Sequence, residues 1–260
     1  MNFIKIKKMR VAYEECHLIQ DISFEVKQEG FFVVMGANGS GKSTLLKAMV
    51  GIIPQESELY DYSDFNLLEL DRQSKSSILS YMPQSPEIEE NLTVEDYFHY
   101  TRFPQMRSFR RLNEKELFLR NDILKRLRVS HLLGRRVGEV SGGELKKIMI
   151  GGTFFQGTHF VLLDEPFQAL DPVVKVEVAD FLKYASSHYQ VGIIMACHDL
   201  YWARKLADQM LFLKNGAILN QGPTKTIFTK ENLAKLYGQA FAQFDDRDSD
   251  DSVFLPRATE

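Results

Sequence analysis

Apolar and polar positions alternate through residues 1–30, as in Val11-Ala12-Tyr13 and Ile22-Ser23-Phe24-Glu25-Val26. A period of two predicts strands of an antiparallel β-subdomain. Three later segments are apolar runs instead, Phe31-Phe32-Val33-Val34-Met35, Phe160-Val161-Leu162-Leu163 and Val191–Ala196, and Ile78–Met82 is a further strand-like segment. Each predicts a strand, and Phe160–Leu163 reads as a central strand of a parallel sheet, buried on both faces. Leu45-Leu46-Lys47-Ala48-Met49-Val50 reads as a helix, so residues 31–84 carry a strand, a helix, a polar connection and another strand. Residues 85–137 change character. They are rich in charge and helix formers, as in Glu114-Lys115-Glu116-Leu117-Phe118-Leu119-Arg120 and Asp122-Ile123-Leu124-Lys125-Arg126-Leu127, and predict an inserted helical subdomain. Residues 138–222 return to α/β. Residues 223–260 are expected to form a helical extension with an acidic tail, Asp245-Asp246-Arg247-Asp248-Ser249-Asp250-Asp251-Ser252, of disordered composition. The predicted fold class is α/β, with no internal repeat and no coiled-coil insertion.

Composition narrows the setting. A chain of 260 residues, 44% of them hydrophobic, can bury a substantial core as one large or two small domains. Its net charge of −3 supplies no global basic field for nucleic acid. The basic run from Arg102 to Arg111 is interrupted by aromatic and proline residues and reads as a solvated face. Cys16 and Cys197 fit no metal-ligand spacing, and two thiols in a chain this long point to a reducing compartment. The N-terminus lacks the apolar core of a signal peptide, and no apolar run approaches the roughly 18–20 residues that span a bilayer. A cytoplasmic location is expected, with any membrane role reached through a partner.

The most specific chemistry lies in Gly36-Ala37-Asn38-Gly39-Ser40-Gly41-Lys42-Ser43-Thr44, between the first buried run and its helix. This G-x-x-x-x-G-K-[ST] spacing makes a polyphosphate cradle. Its glycines admit close backbone approach, and its N–H groups and helix N-terminus face anionic oxygens. Lys42 reaches the β- and γ-phosphates, and Ser43 offers a hydroxyl to Mg²⁺. A chance glycine-rich turn would not need the strand and helix that flank it. Phe160–Glu165 ends in two carboxylates, with Asp164 placed to hold Mg²⁺ and Glu165 to polarise the attacking water. The plain alternative is a pair of solvated acids at a strand end, which the cradle upstream argues against. Val140-Ser141-Gly142-Gly143-Glu144 opens a helix with Ser141 as its N-cap. A capped helix needs no ligand, so this motif gains weight only from its place between the other two.

In this order, the motifs resemble the ATP-binding cassette (ABC) ATPase family over residues 1–222, with a helical subdomain at about 85–137. Gly36–Thr44 is similar to Walker A, Gln84 in Tyr81-Met82-Pro83-Gln84 to the Q-loop, and Val140–Glu144 to the LSGGQ signature. Phe160–Glu165 resembles Walker B, Gln168-Ala169-Leu170-Asp171 the D-loop, and His198 the switch histidine. The resemblance implies a P-loop NTPase fold and an ATPase that uses ATP and Mg²⁺, with Lys42, Gln84, Glu165 and His198 as catalytic groups. It implies Ser43, Gln84 and Asp164 at the metal. Gly36, Ala37, Asn38, Gly39, Ser40, Gly41, Lys42, Ser43 and Thr44 would hold the nucleotide, and Ser141, Gly142, Gly143, Glu144 and Asp171 would meet it across a dimer. Tyr13 either stacks on adenine or is an ordinary strand tyrosine. Implied partners are a second ABC ATPase subunit, with a homodimer expected, a transmembrane permease, and a substrate-binding protein reached through the permease, but no nucleic acid. The implied location is the inner face of the cell membrane.

Departures from the family pattern are modest. Glu144 replaces the signature glutamine, Val140 a leucine, and Phe167 and Gln168 a more usual threonine and serine. Gly151-Gly152 inside the post-signature helix is unexpected, since glycine costs about 1 kcal/mol against alanine there, and predicts a closely packed neighbour. Thr93–Pro104 and Ile227–Gly238 resemble importers for iron–siderophore, haem, cobalamin or metal. The rivals are a soluble ABC ATPase of iron–sulfur cluster assembly, which shares Ser-Gly-Gly-Glu followed by lysines, and an exporter subunit.

Overall fold

The N-terminal alternation becomes two long strands in the computed structural model, which describes residues 2–14, 16–63, 65–85, 88–106, 110–245 and 252–257. β1 (Phe3–Tyr13) and β2 (Cys16–Lys27) pair antiparallel, from Phe3 opposite Lys27 to Tyr13 opposite Cys16. Ile4, Ile6, Met9 and Val11 of β1 are buried, while the lysines between them are exposed. β3 (Gly30–Met35) leads through the glycine-rich turn into α1 (Lys42–Met49). β4 (Leu59–Tyr62) and β5 (Phe65–Asn66) complete a four-stranded sheet in the order β2-β1-β4-β5. α2 (Arg72–Ile78) then runs into β6 (Leu79–Met82).

The charged middle of the chain forms α3 (Val94–Met106) and α4 (Glu114–Arg126). α4 starts with a capping box in which the Glu116 amide donates to Asn113 Oδ1 and the Asn113 amide to Glu116 Oε2, both at 2.9 Å. α5 (Gly142–Phe155) lies against both helices and explains its own paired glycines. A Cβ on Gly152 would sit 2.5 Å from Tyr97 Cε1, and one on Gly151 would sit 3.0 Å from both Ile123 Cγ2 and Leu127 Cδ1. The predicted close neighbours are therefore helices α3 and α4.

β7 (Phe160–Asp164), α6 (Pro172–His188), β8 (Gly192–Ala196), α7 (Leu200–Leu206), β9 (Gln209–Lys214) and β10 (Ala217–Pro223) complete the main sheet, ordered β10-β9-β3-β8-β7-β6. Only β10 is antiparallel to its neighbour. The inner strands feed two cores. Phe31, Val33, Val161, Leu163, Ile193 and Met195 face the helical side, whereas Phe32, Val34, Leu162 and Ile194 face α1 and the β-subdomain. This two-sided burial is why these strands read as unbroken apolar runs. Because β3, β8, β7 and β6 are parallel neighbours, the loops after all four emerge at one edge, where α/β sheets bind ligands.

Beyond residue 222 the expectation of a helical extension needs correction. α8 (Thr224–Ile227) and α9 (Lys230–Tyr237) are followed by an antiparallel hairpin, β11 (Phe241–Asp245) with β12 (Ser252–Pro256). Packing decides this. Phe241 and Phe254 share the buried face; Phe254 meets the Phe228 ring at 5.1 Å, and Arg204 of α7 lies over it at 5.3 Å. Of the acidic segment Asp245–Ser252, expected to be disordered, the end residues Asp245 and Ser252 instead close the two strands, while 246–251 lie outside the described residues, as do residues 107–109 of the basic run. Among the described residues no helix is long and apolar enough to cross a membrane.

Candidate functional site

The loop after β3 wraps back on itself before α1 begins. A Cβ on Gly36 would fall 2.3 Å from the Leu213 carbonyl and 2.4 Å from Ser40 Oγ, so no larger residue fits there. Gly41 caps α1 with φ +104°, a left-handed conformation suited to glycine. No side chain caps α1 and its first turn holds no acid, so its leading N–H groups are left for an anionic ligand. The buried Ser40 hydroxyl has no hydrogen-bond partner within the protein. Lys42 is buried, and its Nζ donates to the carbonyls of Gly36 (2.9 Å) and Ala37 (3.2 Å). These features fit a bound polyphosphate.

The acids after β7 close the opposite side. Asp164 is 1% exposed and accepts from Ser43 Oγ at 3.0 Å and from the Tyr81 hydroxyl at 3.2 Å. Burial first, and then the Asp164 charge, push the Tyr81 phenol upward, so it stays a neutral donor. Glu165 is also buried, and its Oε1 lies 3.7 Å from Lys42 Nζ. Its Oε2 lies 2.7 Å from His198 Nδ1 and accepts from the His198 amide at 3.3 Å. Glu165 has φ +50°, rare for a side-chain-bearing residue and costing on the order of 1–3 kcal/mol. Its amide offsets part of that by donating to the Ala196 carbonyl at 3.0 Å. Cys197, next to His198, is fully buried, and burial pushes its thiol upward.

The donor set suits Mg²⁺. A hydroxyl, a carboxylate and an amide are hard oxygen ligands, and among the described residues no group of three or more His, Cys, Asp or Glu forms a dedicated cage. Mg²⁺ commonly binds through one or two carboxylates and the phosphates of its substrate.

A cleft of about 380 Å³ gathers Asn38, Gly39, Ser40, Gly41, Lys42, Ser43, Thr44, Gln84, Glu165 and His198, most of the residues singled out from sequence. Others lie elsewhere. Tyr13 ends β1, 69% exposed and outside the cleft lining, where Leu18 of β2 appears instead. Ser141 and Glu144 form a capping box on α5, with the Ser141 amide donating to Glu144 Oε2 at 2.9 Å. Hydrogen bonds from Ser141 hold the Glu144 carboxyl below its ordinary range. Asp171 caps α6 through the Val173 and Val174 amides. None of these lines the cleft.

Sequence reasoning assigned no task to Tyr81, Lys146 or Gln168. Gln84 Nε2 donates to Gln168 Oε1 at 2.6 Å, and Lys146 Nζ donates to the Gln84 carbonyl at 3.2 Å. Gln168 was visible as a departure from the usual serine. The other two carried no signal, because their partners become neighbours only through the β6–β7 pairing and the packing of α5.

The family model described as ABC transporter matches residues 19–168. The iron(3+)-hydroxamate import ATP-binding protein FhuC of Bacillus subtilis is 26% identical over 237 residues, covering 91% of this chain and 88% of that protein. The manganese transport system ATP-binding protein MntB of Listeria monocytogenes is 28% identical over 243 residues, covering 93% and 98%. In fold, the chain is similar to an ABC transporter of metal-chelate type solved in an inward-facing conformation, with TM-score 0.83, 22% identity and coverage of 99% and 98%.

Proposed function

Because the chain belongs to the ABC transporter family and is an ATP-binding cassette ATPase, we propose that it drives a separate transmembrane permease importing an iron chelate or metal. Two copies close around two Mg-ATP, at the inner face of the cell membrane. The observation that carries this reading is the convergence of Lys42, Ser43, Asp164, Glu165 and His198 at one edge of the sheet. The choice of cargo rests on relatives whose names specify iron hydroxamate and manganese.

The α1 amides and Lys42 bind the β- and γ-phosphates, exchanging the carbonyl contacts of Gly36 and Ala37 for phosphate oxygens. Ser43 and Asp164 would hold Mg²⁺, with Gln84 as a further oxygen donor, and the ion would supply charge neutralisation at the γ-phosphate when bound. Glu165 accepts the proton of the attacking water, oriented by His198. Ser141 and Gly143 of a second subunit close over the nucleotide from the other side, and Tyr13 stacks its exposed ring on the base. Closure moves the permease and hydrolysis resets it.

The test is to purify tagged Glu165→Gln protein from its host's solubilised membranes with Mg-ATP and identify what accompanies it. A polytopic membrane protein is expected. Soluble partners alone, iron–sulfur assembly proteins in particular, would sink the transport reading and leave the ATPase chemistry standing.

A further inference from the structure

Gln84 is held at two points by residues that the proposed mechanism does not use. Its side-chain Nε2 donates to Gln168 Oε1 at 2.6 Å, and its main-chain carbonyl accepts from Lys146 Nζ at 3.2 Å. Lys146 is buried on α5, and burial lowers its affinity for a proton while the charges of Asp164 and Glu165 oppose that shift. Gln168 sits three residues after Glu165, and its amide donates to the Glu165 carbonyl at 3.2 Å. The turn between them is anchored by Phe167, 2% exposed and stacked on Trp202 at 5.2 Å. Gln168 therefore stands on a fixed support, facing Gln84 across the mouth of the cleft.

A primary amide has two unlike ends, and only the oxygen can ligate a hard cation. With its NH₂ end bonded to Gln168, Gln84 has Oε1 as its remaining side-chain acceptor, in the cleft that Ser43 also lines. We propose that Gln168 is a positioning residue that sets this orientation of the Gln84 amide, and so raises the affinity of the nucleotide site for its divalent cation. This rests on the Mg²⁺-ATP reading given above. A serine or threonine at 168 is too short to span the same gap from the same backbone position, so the device belongs to this chain's Gln84–Gln168 pair.

Mn²⁺ serves as the spectroscopic probe, titrated by electron paramagnetic resonance into full-length protein with a non-hydrolysable ATP analogue. Gln168 is exposed, so substitution there spares the core. Gln168→Met removes the acceptor and is expected to weaken Mn²⁺ binding about 10-fold, within the range for partners that orient metal ligands. Nucleotide affinity measured in EDTA should stay at the wild-type value. Gln168→Glu keeps an acceptor and should bind Mn²⁺ at least as tightly as wild type. In a Gln84→Ala background, Gln168→Met should have no further effect. Unchanged Mn²⁺ affinity in Gln168→Met, equal loss in Gln168→Glu, or the same loss without Gln84 would each overturn the proposal. If the wild-type protein binds no nucleotide even in EDTA, the underlying site reading fails instead.

Discussion

Gly142 opens α5, and nothing inside the chain explains why it is glycine. Its φ is not positive, and a Cβ there would meet no atom of the described residues within 4 Å. Gly143 is nearly as free, its added Cβ reaching only the Val174 methyls at 3.8 and 4.0 Å. Within one subunit, Gly142→Ala should therefore stabilise the protein. Alanine gains up to about 1 kcal/mol over glycine in a helix interior, and about half of that is reasonable in a first turn. For a chain of this size, half a kcal/mol is roughly 1–2 °C in Tm. If the backbone at 142–143 closes on the phosphates of ATP held by a second subunit, a methyl group blocks that approach. Loss of one such preorganised contact costs about 100-fold or more in turnover. The two effects are separable: melting temperature by calorimetry, ADP affinity by titration, and turnover by phosphate release. The expected result is a slightly higher Tm, unchanged ADP affinity and lost ATPase activity. Wild-type turnover would refute the close approach in trans, and a lowered Tm would refute the claim that the fold leaves the position open.

Three further perturbations test other parts of the account. Gly152→Ala should behave oppositely to Gly142→Ala: the overpacking cost of about 1–3 kcal/mol against Tyr97, 2.5 Å away, outweighs the helix gain, and urea denaturation should show a loss. Glu116 accepts from Arg110 at 2.8 Å twice, which with the Asn113 amide lowers its pKa from 4.5 to about 2. Its folded pKa lies below the unfolded one, so the contribution is complete above pH 4.5 and disappears as pH falls towards 2. Wild type should accordingly exceed Glu116→Gln in stability at pH 6, and denaturant melts should converge near pH 2. Lys42→Ala should weaken ATP binding about 100-fold, the equivalent of one strong charged hydrogen bond, and unchanged affinity by equilibrium dialysis would remove Lys42 from the phosphate cradle.

The residues that line the cleft are largely legible in sequence because they sit in contiguous motifs at strand ends. Gly36–Thr44 and Phe160–Glu165 each announce a buried strand and the loop after it, and parallel pairing then brings the loops together. The Gly151-Gly152 pair likewise signalled close packing, although not that Tyr97 and Ile123 supply it. Contacts that depend on register between distant segments were not legible. Tyr81 reaches Asp164 only because Met82 and Leu163 are paired in adjacent strands. The β11–β12 hairpin was missed for a similar reason, since its two short alternating segments flank an acidic stretch that carries no hairpin-turn signature. Tyr13 shows a different gap. Its aromatic face was easy to assign to a base, yet its place at the exposed end of β1 leaves it outside the cleft that the protein alone forms.

Glu165, held by His198 beside Lys42, is the group proposed to activate the water that cleaves ATP. The most direct test of that role is single-turnover hydrolysis by Glu165→Gln, run with light scattering in Mg-ATP. Hydrolysis slowed by about 100-fold or more, with ATP retained in a stable dimer, is the expected result. Hydrolysis at the wild-type rate would contradict it.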